Sequence, residues 1–204
     1  MADKYVDIDT LKHLLYDVHH LEELLERERF QDHDKESLDL FLDSTKSFAD
    51  KELFPYIKEM DEQPAYHKDG GVIVHPQVKT MMEEGGELGF ISGPFNYEDG
   101  GMQIPLIAQT ASSYILDAAN NHLPGYAGLT QGAAELIIHF ANQELKDTYV
   151  PNMLAGKWGG TMCLTEAHAG SDLGLLRTKA EPNTDGTYRI SGSKIYISSG
   201  NHDL

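Results

Sequence analysis

Residues 159–204 read GGTMCLTEAHAGSDLGLLRTKAEPNTDGTYRISGSKIYISSGNHDL and hold the densest polar chemistry of the chain. Runs of β-branched and aromatic residues predict three short strands in this region, over residues 158–165, 175–181 and 188–198. The dipeptide Asp185–Gly186 is a hairpin signal between the last two strands. The composition changes from helical to β-type residues at about Lys157, so this stretch predicts the beginning of a β-domain.

Upstream of Lys157, apolar residues recur at the spacing of one helical face. The pattern predicts helices over residues 8–25, 38–53, 75–88, 102–119, 127–141 and 144–155. Residues 61–74 are predicted to form a loop, because Pro64 and the pair Gly70–Gly71 punctuate them. The predicted fold class is therefore mainly α, with an N-terminal helical domain followed by the first strands of a β-domain.

Two of these helical regions raise questions that the pattern leaves open. The apolar stripe of the first helix must pack against something, either across a subunit interface or over a substrate channel. The link NNHLPGYAG joins two strongly apolar helices and carries Asn120, His122 and Tyr126. Its polar and aromatic side chains could line a ligand cavity, or the link could be a plain helix–helix turn.

Charge and composition bound the class of protein. The chain has 204 residues and a formal net charge of −17 at pH 7. An acidic surface repels nucleic acid and anionic membranes, so neither is expected as a partner. The N-terminus lacks an apolar signal segment and no stretch approaches a membrane span, which predicts a cytoplasmic protein. The single cysteine, Cys163, excludes an internal disulfide and is predicted to be buried among its small and apolar neighbours.

The loop between the first two predicted strands, residues 165–172, is the candidate site. The small residues Ala169, Gly170 and Ser171 leave backbone N–H groups uncovered, and such groups attract phosphate or another anion. The hydroxyls of Thr165 and Ser171 add hydrogen-bonding groups. Taken alone, this loop could also be an ordinary turn.

The third predicted strand adds a second half to this site. Its consecutive residues Tyr196, Ile197 and Ser198 could flank a planar ring through an aromatic face, an aliphatic side chain and a hydroxyl. If the two segments are neighbours, an aromatic heterocycle with a phosphate tail fits between them. A flavin nucleotide has that shape.

These residues resemble a known family. MCLTEAHAGSD (162–172) followed by GSKIYISSG (192–200) is similar to the flavin-binding core of the acyl-CoA dehydrogenases. The resemblance extends upstream through FISGPFNYEDGG (90–101) and FANQELKDTYVPNMLAGKWGGTMCLTE (140–166). The sequence departs from the family pattern where Ala167 replaces proline, Tyr196 replaces the commoner tryptophan and Ser199 replaces asparagine.

The resemblance implies a division of the chain into three regions. Residues 1–33 resemble the extra N-terminal helical segment of a longer subgroup that includes the methylthiopropanoyl-CoA dehydrogenases. Residues 34–157 would form the family's N-terminal α-domain. Residues 158–204 would begin its FAD-binding, β-barrel-like middle domain, which is incomplete here. The C-terminal helical bundle of the family would be absent from this chain.

The resemblance also implies a homotetramer with one FAD per subunit. Carried over by position, the cofactor-binding residues are Met162, Leu164, Thr165, Gly170, Ser171, Tyr196, Ile197 and Ser198. Ser171 would in addition touch the acyl-CoA, and Glu166 would be structural.

The implied activity belongs to fatty acid metabolism. An acyl-CoA thioester is oxidised to the trans-2-enoyl-CoA, with electrons passing to an electron-transfer flavoprotein or a similar acceptor. The family's catalytic glutamate is expected beyond Leu204, so no catalytic residue is assigned and this chain alone is expected to be inactive. An acyl-CoA oxidase, a flavin monooxygenase of the same superfamily and a non-catalytic helical interaction fragment remain as alternatives.

Overall fold

The structure, a computed structural model, describes residues 5–202. Residues 1–4 and 203–204, the ends of the first and third predicted regions, lie outside it. The chain forms two compact units: the first extends to Gly160 and includes the residues from Asn201 onward, and the second is Thr161–Gly200. The first unit is mainly helical and the second contains a β-hairpin and loops. The predicted mainly α fold class is therefore confirmed.

The helices and strands occupy the following positions. The helices are α1 Ile8–His13, α2 Leu21–Leu25, α3 Lys35–Phe48, α4 Ile57–Glu62, α5 Gln77–Glu87, α6 Leu106–Asn120, α7 Pro124–Phe140 and α8 Gln143–Leu154. The strands are β1 Tyr66–Lys68, β2 Gly71–Ile73, β3 Lys179–Pro182 and β4 Tyr188–Ser191. One-turn π-helical segments at Leu14–Val18 and Ala49–Leu53 extend α1 and α3.

The core of the first unit lies between α3, α5, α6 and α7. Its fully buried side chains include Leu38, Leu42, Leu53, Met81, Ile91, Ile115 and Leu123. Two polar contacts fix how the helices meet in this core. The hydroxyls of Thr45 and Ser112 are 3.1 Å apart between α3 and α6, and the Asn120 amide donates to Leu53 O at 3.1 Å. Buried polar groups paired in this way cost little and make one helix register preferable.

The N-terminal segment differs from the single predicted helix over residues 8–25. The helix is broken at His20, whose φ of +53° is left-handed and cannot continue an α-helix. The break lets Leu15 and Leu21 both be buried. The Tyr16 hydroxyl donates to Asp39 of α3 at 3.0 Å, so this segment contacts α3 of the same chain. Its apolar stripe is buried only in part, since Leu14 and Val18 remain exposed.

Two predicted connections are also corrected. The predicted loop over residues 61–74 contains the antiparallel hairpin β1–β2, with Tyr66 opposite Ile73. Its turn, Asp69–Gly70, has positive φ at both residues, as a two-residue hairpin loop requires. The polar link is shorter than expected because α7 begins at Pro124. Asn120 is fully buried in the core, which favours the helix–helix turn over a ligand cavity.

The predicted strands of the second unit are partly wrong. Residues 158–165 form no strand, and strands occur only as the pair β3–β4 in the described part of this unit. The strands predicted over 175–181 and 188–198 shrink to β3 and β4. A strand needs a partner along its length, and the segments outside the hairpin meet through single hydrogen bonds instead. The predicted turn at Asp185–Gly186 is confirmed, with Gly186 at φ +85°.

Between residues 5 and 202, no helix combines the length and the apolar character that crossing a bilayer requires.

Gly156, just after the end of α8, allows the packing of the first unit to be tested. Gly156 has φ +69°, and a Cβ atom there would lie 1.7 Å from the Met82 carbonyl oxygen. We expect Gly156→Ala to lower the free energy of unfolding by about 2 kcal/mol or more, because the left-handed backbone and the clash both oppose a side chain. Urea denaturation followed by circular dichroism measures the change.

Gly132→Ala is the matched control. Gly132 lies within α7 with open space where its Cβ would be. Alanine at that position should raise stability by up to about 1 kcal/mol, because glycine is the poorer helix former. Equal denaturation midpoints for the two variants would contradict the close packing at Gly156.

Candidate functional site

The two halves of the predicted site lie side by side in the second unit. We call residues 161–172 the small-residue loop and residues 192–200 the facing segment. Four hydrogen bonds join them. Ile195 N donates to Thr165 O at 2.9 Å, and the Thr161 hydroxyl donates to Ser198 O. Lys194 Nζ donates to Leu164 O and to Glu166 Oε1, in both cases at 3.0 Å. The neighbouring arrangement that the flavin interpretation requires is therefore present.

A buried carboxylate, that of Glu166, holds this arrangement together. Glu166 is only 4% exposed. Its Oε1 accepts from the Thr178 hydroxyl at 2.6 Å, from Thr178 N at 2.9 Å and from Lys194 Nζ at 3.0 Å. Its Oε2 accepts from Arg177 N at 2.8 Å and lies 3.5 Å from His168 Nε2. The carboxylate thus connects the loop, the start of the hairpin and the facing segment.

These donors also determine the charge of Glu166. The hydrogen bonds from the Thr178 hydroxyl and from Arg177 N, with smaller contributions from Thr178 N and Lys194, hold the pKa of the carboxyl far below its usual range. Glu166 therefore stays ionised throughout the physiological pH range. A carboxylate with every oxygen occupied and so low a proton affinity is a structural anchor and a poor general base.

Two backbone hydrogen bonds form a tight turn within the small-residue loop, beginning at Glu166. Glu166 N donates to Ala169 O at 2.9 Å, and Ala169 N donates to Glu166 O at 3.0 Å. This pair of bonds holds the turn in which Ala167 replaces the family's proline. Between residues 5 and 202, the N–H groups of Gly170, Ser171 and Asp172 have no acceptor, and these three residues are exposed. They are available to an anionic ligand.

The predicted cofactor-binding residues differ in their exposure. Gly170, Ser171 and Ser198 are exposed, and Thr165 and Ile197 are half-buried. Three large apolar side chains are exposed as well: Met162 at 49%, Leu164 at 37% and Tyr196 at 87%. Exposed apolar groups beside free N–H groups and hydroxyls suit a ligand with a planar ring and a phosphate tail. The residues present therefore fit a flavin nucleotide.

Tyr196 has a left-handed backbone. Its φ is +55°, which is uncommon for any residue other than glycine and marks local strain. Ser199, three residues later, has the same φ. Strain of this kind persists only where neighbouring contacts fix the chain, and here the bonds to the small-residue loop do so.

Cys163 is exposed, so the prediction that it is buried is wrong. The error follows from the missing strand. Without a sheet on either side, the side chains of all three residues 162–164 are exposed.

Sequence reasoning missed three residues that build the site. Thr178 and Lys194 hold Glu166, and Thr161 joins the loop to the facing segment. Lys194 stands in the quoted motif, but its position gave no sign of its partner 28 residues earlier. Gly192 approaches Thr178 so closely that a Cβ atom would lie 2.1 Å from Oγ1 of Thr178, and only glycine fits there.

Across residues 5–202, no group of three or more His, Cys, Asp or Glu side chains is placed to hold a metal ion.

Comparison with known proteins assigns the family. The family model described as acyl-CoA dehydrogenase, N-terminal domain, matches residues 35–157, more than half of the chain. The chain belongs to the acyl-CoA dehydrogenase family. The resemblance seen in the sequence is thereby confirmed.

Two curated relatives of the family match most of this chain. It is 31% identical over 197 residues to the 3-methylmercaptopropionyl-CoA dehydrogenase of Ruegeria pomeroyi, covering 95% of this chain and 34% of the relative. It is 35% identical over 178 residues to a butyryl-CoA dehydrogenase of Syntrophomonas wolfei, covering 83% of this chain and 28% of the relative. The chain thus spans about a third of the length of these relatives.

A solved structure of the family shares the fold. The acyl-CoA dehydrogenase of Bacillus anthracis, complexed with FAD, superimposes with a TM-score of 0.64 at 24% identity, covering 85% of this chain and 28% of that chain. This likeness supports the fold of the acyl-CoA dehydrogenase family alone.

The structural role of Glu166 can be tested through the pH dependence of local stability. Because its folded pKa is lowered, its stabilisation is complete above the ordinary glutamate pKa of about 4.3 and is lost as the pH falls towards the folded value. We expect the hydrogen-exchange protection of the Arg177 and Thr178 amides, corrected for intrinsic rates, to be constant from neutral pH to about 5 and to fall below about 4. In Glu166→Gln, protection should be at least about tenfold lower at neutral pH and independent of pH.

Glu181→Gln is the control for this test. Glu181 is exposed and pairs with Arg189, at 2.8 Å, across the hairpin, and such surface pairs contribute little. If Glu181→Gln reduced the protection of Arg177 and Thr178 as much as Glu166→Gln does, the central role of Glu166 would be wrong.

Proposed function

We propose that this chain is part of an FAD-dependent acyl-CoA dehydrogenase, and that its small-residue loop (residues 161–172) and facing segment (residues 192–200) form one wall of its flavin site. The observation that carries the proposal is the pairing of the small-residue loop with the facing segment, fixed by hydrogen bonds at Leu164, Thr165 and Glu166. The reaction is the α,β-dehydrogenation of an acyl-CoA thioester to the trans-2-enoyl-CoA. Bound FAD supplies the redox chemistry of this reaction.

The chain's own residues bind and orient in this proposal. Thr165 donates its hydroxyl to the flavin ring, and Met162, Leu164, Tyr196 and Ile197 provide apolar contact. The Ser171 hydroxyl and the exposed N–H groups of Gly170 and Ser171 receive the phosphate region, because unpaired amides favour anions. Ser171 also contacts the acyl-CoA, and Ser198 closes the facing side. Together these groups replace water around the ring and fix its position.

Glu166 is not the base that removes the α-proton. Both of its oxygens accept hydrogen bonds, and its pKa is far below the range that a general base needs. The catalytic carboxylate therefore comes from another part of the enzyme.

The remaining features of the enzyme are proposed on the same basis. Residues 1–33 form an extra N-terminal helical segment, residues 34–157 form the α-domain, and residues 158–204 begin the FAD-binding domain. The enzyme works in the cytoplasm as a homo-oligomer, with an electron-transfer flavoprotein or a similar acceptor. The names of the two curated relatives support an acyl-CoA substrate, and the FAD complex of the Bacillus anthracis protein supports the cofactor.

The direct test uses the protein that carries this chain, purified with its flavin. We expect bound FAD, and anaerobic bleaching of its visible band by butyryl-CoA or by 3-methylmercaptopropionyl-CoA. Absence of bound flavin, or flavin that no acyl-CoA bleaches, would remove the proposal. Rapid reoxidation of the reduced flavin by oxygen would instead identify an oxidase or monooxygenase of the same superfamily.

Two hydroxyls of the small-residue loop provide a sharper test. Thr165→Ala and Ser171→Ala should each raise the Kd for FAD about tenfold, since each removes one hydrogen bond to the cofactor. Fluorescence titration of the apoprotein with FAD measures both. Ser191→Ala, at the exposed end of β4, removes a hydroxyl outside the wall and should leave the Kd unchanged. Unchanged affinity in both loop variants would contradict the assigned wall.

A further inference from the structure

Thr165 is held on both sides by the facing segment. The carbonyl before it, Leu164 O, accepts from Lys194 Nζ at 3.0 Å. Its own carbonyl accepts from Ile195 N at 2.9 Å. The next residue, Glu166, is fixed through its backbone by the turn and through its side chain by Lys194. Two peptide planes that set the direction of the Thr165 side chain are therefore anchored by neighbouring residues.

Lys194 is the residue that serves two of these anchors at once. Its ammonium lies 3.0 Å from Leu164 O and 3.0 Å from Glu166 Oε1, and its side chain is 19% exposed. An ammonium donates to several acceptors, so one cation can hold a carbonyl and a carboxylate together. Because Glu166 is buried, removing its cation leaves an incompletely compensated charge, and the loop would rearrange to reach water.

The Thr165 hydroxyl, in contrast, is uncommitted. Within residues 5–202 it has no hydrogen-bond partner. Its methyl carbon lies beside Gly170, 3.6 Å from where a Cβ would stand on that glycine. The backbone of Thr165 is thus immobilised while its hydroxyl stays available to a ligand.

We propose that Lys194 and Glu166 are positioning residues for the flavin: without touching it, they fix the Thr165 peptide so that its hydroxyl is pre-oriented towards the ring. The inference rests on the proposed function. The new element is that the affinity for FAD depends on the ion pair between Lys194 and Glu166, although neither side chain contacts the cofactor. Pre-orientation raises affinity because the cost of ordering the donor is met before binding.

A double-mutant cycle between Lys194 and Thr165 tests the inference. If Lys194 acts through Thr165, Lys194→Met should raise the Kd for FAD about tenfold when Thr165 is present. In the Thr165→Ala background the same change should cost less than about twofold, because the donor that it orients is gone. Equal losses in the two backgrounds, or no loss from Lys194→Met, would overturn the inference.

Controls separate positioning from general damage. Lys194→Arg keeps a cation that can reach both acceptors and should restore the Kd to within about threefold. Lys179→Met removes an exposed charge of β3 and should have no effect on the Kd. The amide protection of Thr178 shows whether each variant keeps the folded loop.

A second variant covers the case in which Lys194→Met fails to fold. Thr178→Val removes the shortest hydrogen bond to Glu166 and keeps the branched side-chain shape. It should show the same non-additivity with Thr165→Ala, and additive losses would again overturn the inference. If the unmodified protein binds no FAD, the proposed function itself fails, which is a distinct result from an additive cycle in a protein that does bind it.

Discussion

The second unit depends on one buried carboxylate. Among its described residues only Glu166 and Ala169 are buried, so it has no apolar core of its own. The carboxylate of Glu166 accepts hydrogen bonds from two segments that are distant in sequence, the adjacent residues Arg177 and Thr178 and the side chain of Lys194. Charge-assisted hydrogen bonds to a buried group are strong and directional, and they perform here the organising role that apolar packing performs in the first unit.

The two units are held together by different interactions, apolar packing in the first and hydrogen bonds to a carboxylate in the second. In the first, helices meet through buried leucine, isoleucine and methionine side chains, with a few paired polar groups fixing the register. Apolar packing tolerates changes of shape within limits, whereas a saturated carboxylate tolerates almost none. A ligand site needs donors at defined positions, so it is reasonable that the loop proposed to bind the cofactor is held by directional bonds.

The helical part of the fold was largely predictable from sequence, because one-sided apolar periodicity is a local signal. The observed helix boundaries differ from the predicted ones where the local backbone conformation ends or starts a helix. His20 is left-handed and breaks the first predicted helix, and Pro124 starts α7 earlier than predicted. The hairpin β1–β2 was missed although Asp69–Gly70 is a hairpin signal. Too many strands were predicted after Lys157, because β-type residues form a strand only where a neighbouring segment pairs with them, and the sequence pattern does not reveal the pairing. The two segments of the candidate site were selected by motif, and the structure places them side by side. The contacts of Glu166 with Thr178 and Lys194 join residues 12 and 28 positions away, and no local pattern encodes them.

The scarcity of buried apolar surface in the second unit has a thermodynamic consequence. The heat-capacity change of unfolding comes mainly from the exposure of apolar surface, and exposure of polar groups opposes it. Local opening of the loop around Glu166 should therefore carry a small heat-capacity change, with a nearly temperature-independent enthalpy. The free energy of opening this loop would therefore vary almost linearly with temperature, without the loss on cooling that weakened apolar packing causes in the helical unit.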